Sequence, residues 1–411
     1  MVATGLRSDL EICAIAQEVA DNFMAPRAEE YDRTGEFPLD NIAELGRSGL
    51  MGLLVPPEYG GLGGTVTQFS KVAEILAAAC PSTSMIWGMH TNQYVNLVEY
   101  GTEKQKAAIL PGIAQGEILA ASGTTEPGTG GNFFYCNSAA VKTKEGWKFT
   151  ATKPVSTSAP YADYCFCITR ADPESPGAHL SFFMVPCKVD GVTQIGEWNT
   201  VGLRATQSSG LQFTDVPLND LHLIGKEGGF GIVALTTMLP IGMCGFAACW
   251  LGAAQASLDF AVEHVQRRTH HFSMPGDERG HTVGSYESVQ RQIAEANILL
   301  DQARSFLYNV ARSIDEAKPS ASQPMPLDQA MPIAGTALAL RVASGESAVK
   351  ITTTALRVAG AQGYRREYLS IERYHRDALA AQVMAPAPDM VKVFLGKLRL
   401  GYTLEQAIGL Q

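Results

Sequence analysis

The sequence predicts an α+β chain of three units: an N-terminal α-helical domain over residues 1–118, a middle β-barrel domain over 119–227 and a C-terminal four-helix bundle over 228–411. Three observations predict it. Apolar residues recur at helical spacing through roughly the first 115 positions and again from about Phe230. Between those stretches the pattern changes to period two, broken by Pro, Gly, Asp and Asn turns. At 411 residues the chain is also longer than one hydrophobic core usually grows, so two or three packed units are expected.

In the first unit, Leu10, Cys13, Ile15, Ala16, Val19 and Phe23 mark a helix over residues 8–30. A second helix runs from about Asp40 to Gly49. Then Val55-Pro-Pro-Glu-Tyr-Gly-Gly-Leu-Gly-Gly cannot hold regular structure and predicts a shaped loop. Residues 66–80 and 84–100 read as helices, and a short one begins at Thr102 and stops near Pro111 or Gly116. In the middle unit, Asn137 to Lys153 reads as a hairpin turning at Lys144-Glu145-Gly146. Further strands follow at Ala162–Arg170, Leu180–Cys187, Val192–Trp198 and Gly210–Phe213, which together suit a barrel or a sandwich. The last unit has helical patterns over 230–272, 285–315, 330–360 and 366–381 or beyond, hence the four-helix bundle.

Composition removes several function classes. The net charge is −9 and there is no Lys/Arg run, so a nucleic-acid partner is not expected. Eight scattered cysteines, with no charged-then-apolar leader at the start, predict reduced thiols and a cytoplasmic protein. Cys165 and Cys167 face the same way on a predicted strand but lack two further ligands, so they read as core packing and no metal site is expected. From Gly228 to Leu258 there is no charge, a length sufficient to span a membrane. Pro240, the absence of basic flanks and the helical continuation through Asp259 predict instead a helix buried in the bundle, with no membrane partner.

Four stretches carry candidate chemistry. Residues 121–132, Ala-Ser-Gly-Thr-Thr-Glu-Pro-Gly-Thr-Gly-Gly-Asn, place Gly128, Gly130 and Gly131 in a loop whose backbone N–H groups can cradle an anion or a ring edge. A mobile interdomain linker would have the same composition. Residues 356–389 read as a helix broken by Gly360 and Gly363, a polar turn at Tyr364, and a second helix carrying Arg376-Asp377-Ala378. Lys153-Pro-Val-Ser-Thr-Ser and Gly202-Leu-Arg-Ala-Thr-Gln-Ser-Ser flank the predicted strands of the middle unit.

These segments, in this order and over nearly the whole chain, resemble the acyl-CoA dehydrogenase flavoprotein superfamily. The resemblance implies FAD, or reduced FMN or FAD supplied by a reductase, and a homodimer or homotetramer. By that match Thr125 lies under the flavin pyrimidine edge, with Gly130 beside it, and Gly131 stands where the family usually has a phosphate-binding serine. Thr157 matches the threonine near flavin N5, and Val155 takes the place of a ring-shielding tryptophan. Arg268 matches an arginine that reaches the FAD pyrophosphate across a subunit interface, and Gly360 and Gly363 belong to the C-terminal signature. Arg204 and Ser208 stand where polar substrate or cofactor atoms are met, although a structural role suits both equally well.

One group is missing. Many of these dehydrogenases carry a glutamate nine residues after the signature arginine, which removes the substrate α-proton; here that position is Ala385. Others place it ten residues before the position of Gly252, which here is Gly242. Proton abstraction needs a group of suitable pKa within reach. The substitutes are His90, ranked first because its helix borders the family's substrate cavity, then His375 and Asp389. The expected function is a reduced-flavin-dependent monooxygenase working with a flavin reductase on a small molecule. The alternatives are a dehydrogenase of acyl-CoA or acyl-carrier-protein thioesters with a displaced base, and a scaffold that has lost its flavin.

Overall fold

The computed structural model describes residues 8–129, 132, 134–270, 281–366, 370–403 and 406–407. Helix α1 (Asp9–Val19) opens on a capping box between Ser8 and Glu11. The single helix expected over 8–30 is broken after Val19 by a π turn and then by Pro26, which lacks the N–H the next turn would use. It resumes as α2 (Ala28–Thr34), closed by Gly35 at φ +74. After α3 (Leu39–Arg47) the glycine-rich loop folds back on itself, with Gly63 N–H on the Val55 carbonyl and Gly64 N–H on that of Leu53. A Cβ at Gly61 would lie 2.1 Å from the Val55 oxygen, so this turn closes only with glycine there. Helices α4 (Val66–Ala79), α5 (Pro81–Tyr100) and α6 (Glu103–Gln115) complete the unit.

The middle unit has eight strands: β1 (Ala120–Gly123), β2 (Ala140–Thr143), β3 (Gly146–Lys153), β4 (Tyr164–Arg170), β5 (Leu180–Pro186), β6 (Val192–Ile195), β7 (Gly210–Leu218) and β8 (Leu223–Ile224). They form two open sheets, ordered β1-β4-β5-β8 and β2-β3-β7-β6, and this corrects the expected closed barrel. The edge strands β1, β2, β6 and β8 have two to four residues each, too short to carry a ladder from one sheet into the other. Backbone pairing between the two is limited, among the described residues, to an isolated bridge between Ala139 and Arg170. Trp147, Phe149 and Phe213 from one sheet and Phe183 from the other fill the space between them, with the pairs Trp147–Phe183 and Phe149–Phe213 edge to face about 5 Å apart.

In the last unit, α7 (Phe230–Val233) passes through a π turn at Ala234–Met238 into α8 (Leu239–Arg267). This is the uncharged stretch, and the most apolar window of the combined helix is 89% buried inside the protein. Gly252 lets the backbone of α4 approach, since a Cβ there would meet the Glu74 carbonyl at 2.2 Å. Helices α9 (Glu287–Ala317), α10 (Leu327–Ala359), α11 (Ile371–Ala378) and α12 (Pro388–Arg399) complete the chain's helices among the described residues. The fourth predicted helix is thus shorter than expected, and α12 is additional, started by Pro388 at its first position.

Candidate functional site

A cleft of about 410 Å³ opens where the three units meet. Helical spacing turns Met89, Asn92 and Gln93 of α5 into it, and likewise Leu239, Met243 and Phe246 of α8. Ser122, Thr124 and Thr125 enter from the end of β1, and Pro154, Val155 and Thr157 from the end of β3. Met384, Ala385 and Ala387 close the side after α11. Its walls are mostly apolar, and none of the described residues lining it is acidic, basic, histidine, cysteine or tyrosine.

Two loops are held in register to build this cleft. Glu126, next to Thr125, is buried and accepts hydrogen bonds from Asn137 N–H at 2.7 Å, Ser138 N–H at 3.0 Å, the Ser138 hydroxyl and the Lys153 ammonium at 2.8 Å. Burial pushes its pKa up, but the Lys153 charge and these donors outweigh that and hold the carboxyl down at about 2. Lys153 is itself fully buried and donates also to the Ile168 carbonyl at 2.7 Å. Beyond it, Ser156 N–H donates to Ser209 O and Ser158 N–H to Thr206 O, fixing Ser158 at φ +67, a conformation few non-glycine residues adopt. The Ser208 hydroxyl donates to the Thr157 hydroxyl at 3.2 Å, and that of Thr125 to the Val155 carbonyl at 3.4 Å.

The signature Arg376-Asp377 ties the units together behind the cleft. Arg376 grips both carboxylate oxygens of Asp32, at 2.9 and 2.6 Å, and donates to the Val201 carbonyl. Asp377 accepts from Leu203 N–H at 2.6 Å; burial pushes its pKa up to about 6 against that hydrogen bond. Gly202 permits the contact, because a Cβ there would meet the Arg376 carbonyl at 2.1 Å. The fully buried Arg341 of α10 donates to the carbonyls of Ala381 at 2.8 Å and Met384 at 2.6 Å, and lies over the Trp250 ring. It therefore fixes the wall that carries Ala385.

The structure brings Thr125, Val155, Thr157 and Ala385 together in the cleft and puts Ser208 directly behind Thr157. Arg268 and Gly360 meet elsewhere, at the end of α10: Arg268 donates to the Ala359 carbonyl, and a Cβ on Gly360 would lie 3.6 Å from its guanidinium. Gly360 has φ +66, and Gly363 N–H closes the turn on its carbonyl. Gly130 and Gly131 fall outside the described residues. Arg204 is not among the described residues lining the cleft, and its guanidinium donates to the carbonyls of Asp32 and Thr200.

None of the three expected bases lines the cleft. His90 follows Met89 by one residue, which rotates it about 100° away from the cleft. Its Nδ1 accepts from Ala120 N–H at 3.0 Å, its ring abuts Tyr94, and burial drives its pKa down to about 3. It is a neutral core histidine. His375 is half-buried against the Thr352 hydroxyl at 3.1 Å, and burial lowers its pKa. Asp389 projects from α12 with a side chain 97% exposed.

Sequence reasoning missed Trp198, Asn92 and Gln93. Trp198 lines the same cleft as Val155 and is anchored through its indole N–H on the Leu203 carbonyl at 3.0 Å. The signal for Asn92 and Gln93 is a run of uncharged polar residues, Thr91-Asn92-Gln93 and Asn96, between the apolar segments Met85-Ile-Trp and Leu97-Val98 of one helix.

This arrangement, a mixed unit of two small sheets between helical units with a cleft at their junction, defines a flavin-dependent oxidoreductase of the acyl-CoA dehydrogenase architecture. The chain belongs to that superfamily: the acyl-CoA dehydrogenase N-terminal, middle and C-terminal domains match residues 8–117, 121–216 and 229–385. It is 28% identical over 388 residues to a short-chain-specific acyl-CoA dehydrogenase of Clostridium acetobutylicum, covering 93% of this chain and 96% of that protein. Butyryl-CoA dehydrogenase of Megasphaera elsdenii shares the fold at a TM-score of 0.85 and 24% identity, covering 97% of this chain and 99% of that one. FMN-bound TdsC of Paenibacillus does so at 0.83 and 21%, covering 95% and 97%.

Proposed function

We propose that the protein is a reduced-flavin-dependent monooxygenase that takes reduced FMN or FAD from a separate reductase. The observation that carries this reading is the cleft itself: Ala385 lines it, Gly242 lies against Asn92, and no titratable side chain is among its described lining residues. Abstraction of a proton from carbon has no group to perform it there. The cleft fits a flavin ring: its volume is that of a cofactor site, its walls are apolar, and the hydroxyl-bearing Thr125 and Thr157 stand at one side with Trp198. When bound, flavin supplies the electron pair for reduction of dioxygen, one oxygen atom entering the substrate and the other leaving as water. This chain's residues position and shield. Glu126 and Lys153 hold Thr125 in place, Ser208 orients the Thr157 hydroxyl, and Trp198 with Phe246 and Met243 limits water.

A second reading, an acyl thioester dehydrogenase, is favoured by the full-length similarity to short-chain acyl-CoA dehydrogenases. The two are separated by supplying the protein with a flavin reductase, NADH and isotopically labelled dioxygen, with a panel of small neutral organic compounds. Label in a product, dependent on both the reductase and this protein, supports oxygenation. Reductase-independent desaturation of an acyl-CoA would refute it.

A further inference from the structure

The polar groups of the cleft on α5 point to the kind of substrate it takes. Asn92 is 6% exposed and Gln93 1%, yet both line the cleft, and Asn92 Oδ1 and Gln93 Oε1 have no hydrogen-bond partner among the described residues. Two unmet acceptors in a buried apolar wall are costly. Neighbouring polar groups do not relieve them: the Asn96 amide donates to the backbone carbonyls of Asn92 and Gln93, leaving the side-chain oxygens unmet. The opposite wall has made room for the Asn92 amide. A Cβ on Gly242 would lie 2.6 Å from Asn92 Nδ2 and 3.0 Å from Oδ1, so the missing side chain at 242 is the space the amide occupies.

Resting on the proposed function, with the flavin ring on the side of the cleft that carries Thr125 and Thr157 and the organic substrate on the side formed by α5 and α8, we propose that Asn92 and Gln93 form a recognition site for an O–H or N–H donor on an uncharged, largely apolar molecule. The surrounding Met89, Met243 and Phe246 accept the apolar frame, and no charged side chain among the described lining residues could pair with an ionised group. A site built around a hydrogen bond discriminates strongly against the analogue that lacks it, because its own polar groups are then left unpaired.

The test is binding without turnover. The dissociation constants of 2-naphthol and 2-methoxynaphthalene, which differ in the donor but keep the oxygen, are measured by calorimetry on the full-length protein saturated with FMN. We expect 2-naphthol to bind at least about tenfold more tightly, and the preference to collapse to about twofold in Asn92→Leu and Gln93→Leu. Should either variant fail to fold, Gly242→Ala provides the same readout, since its methyl displaces the Asn92 amide without altering that residue. Equal affinity for both compounds, no binding of 2-naphthol, or a preference that survives in the variants would overturn the proposal. Because no oxygen chemistry is read, failure of the monooxygenase assay would leave this result standing, and the reverse also holds.

Discussion

Removing Lys153 tests whether the buried ion pair beneath the cleft holds the Thr125 loop. Lys153 and Glu126 lie 2.8 Å apart with side chains 0% and 4% exposed, so solvent screens the pair little. A carboxyl held at about 2 instead of the ordinary 4.5 corresponds to about 3 kcal/mol of stabilisation of its charged form. Lys153→Met strands that carboxylate with only the Asn137 and Ser138 donors, and should cost about 3–5 kcal/mol in urea unfolding monitored by circular dichroism. The double variant Lys153→Met, Glu126→Gln should be less destabilised than the two single losses combined, giving a coupling of about 2 kcal/mol or more. Flavin affinity should fall in parallel, because Thr125 is adjacent to Glu126. In the unmodified protein the Glu126 contribution is fully present above pH ~4.5 and is lost as pH falls through about 2. A loss below about 1 kcal/mol in Lys153→Met, with flavin binding unchanged, would refute the reasoning.

Arg341→Ala should cost about 3 kcal/mol, since it leaves the Ala381 and Met384 carbonyls without donors, and hydrogen exchange at 381–385 should quicken. Arg376→Lys keeps the charge but loses the fork on Asp32; thermal unfolding should show about 1–2 kcal/mol lost, and Arg376→Ala more. Asp377 has a folded pKa of about 6, above its ordinary 3.8, so it contributes stability below pH ~4 that is lost as pH rises through about 6. Asp377→Asn, which can still accept from Leu203 N–H, should flatten the pH dependence of the urea midpoint between pH ~4 and ~6, where the parent loses at most about 3 kcal/mol from this group.

Much of this was legible in the residues. Period-two and helical stretches placed the β unit between helical ones, and the Thr-Thr-Glu-Pro-Gly and Pro-Val-Ser-Thr segments do converge on one cleft with Ala385. Whether the two sheets close was not legible, because closure depends on which edges pair, and periodicity is blind to pairing partners. His90 illustrates the limit within one helix: α5 does border the cleft, but a one-residue step turns its side chain into the core. Glu126 and Lys153 stand 27 residues apart, so their pairing follows from tertiary structure alone. Arg341 was the more readable case, a lone charge in the apolar run Ala337-Leu-Ala-Leu-Arg341-Val-Ala.

The central claim is that this cleft holds a flavin with no group able to take a proton from carbon. Anaerobic mixing of the flavin-loaded protein with butyryl-CoA, followed at the visible flavin band, tests it most directly. The oxidised spectrum should persist over many minutes. Prompt bleaching, with crotonyl-CoA formed in proportion, would contradict the account.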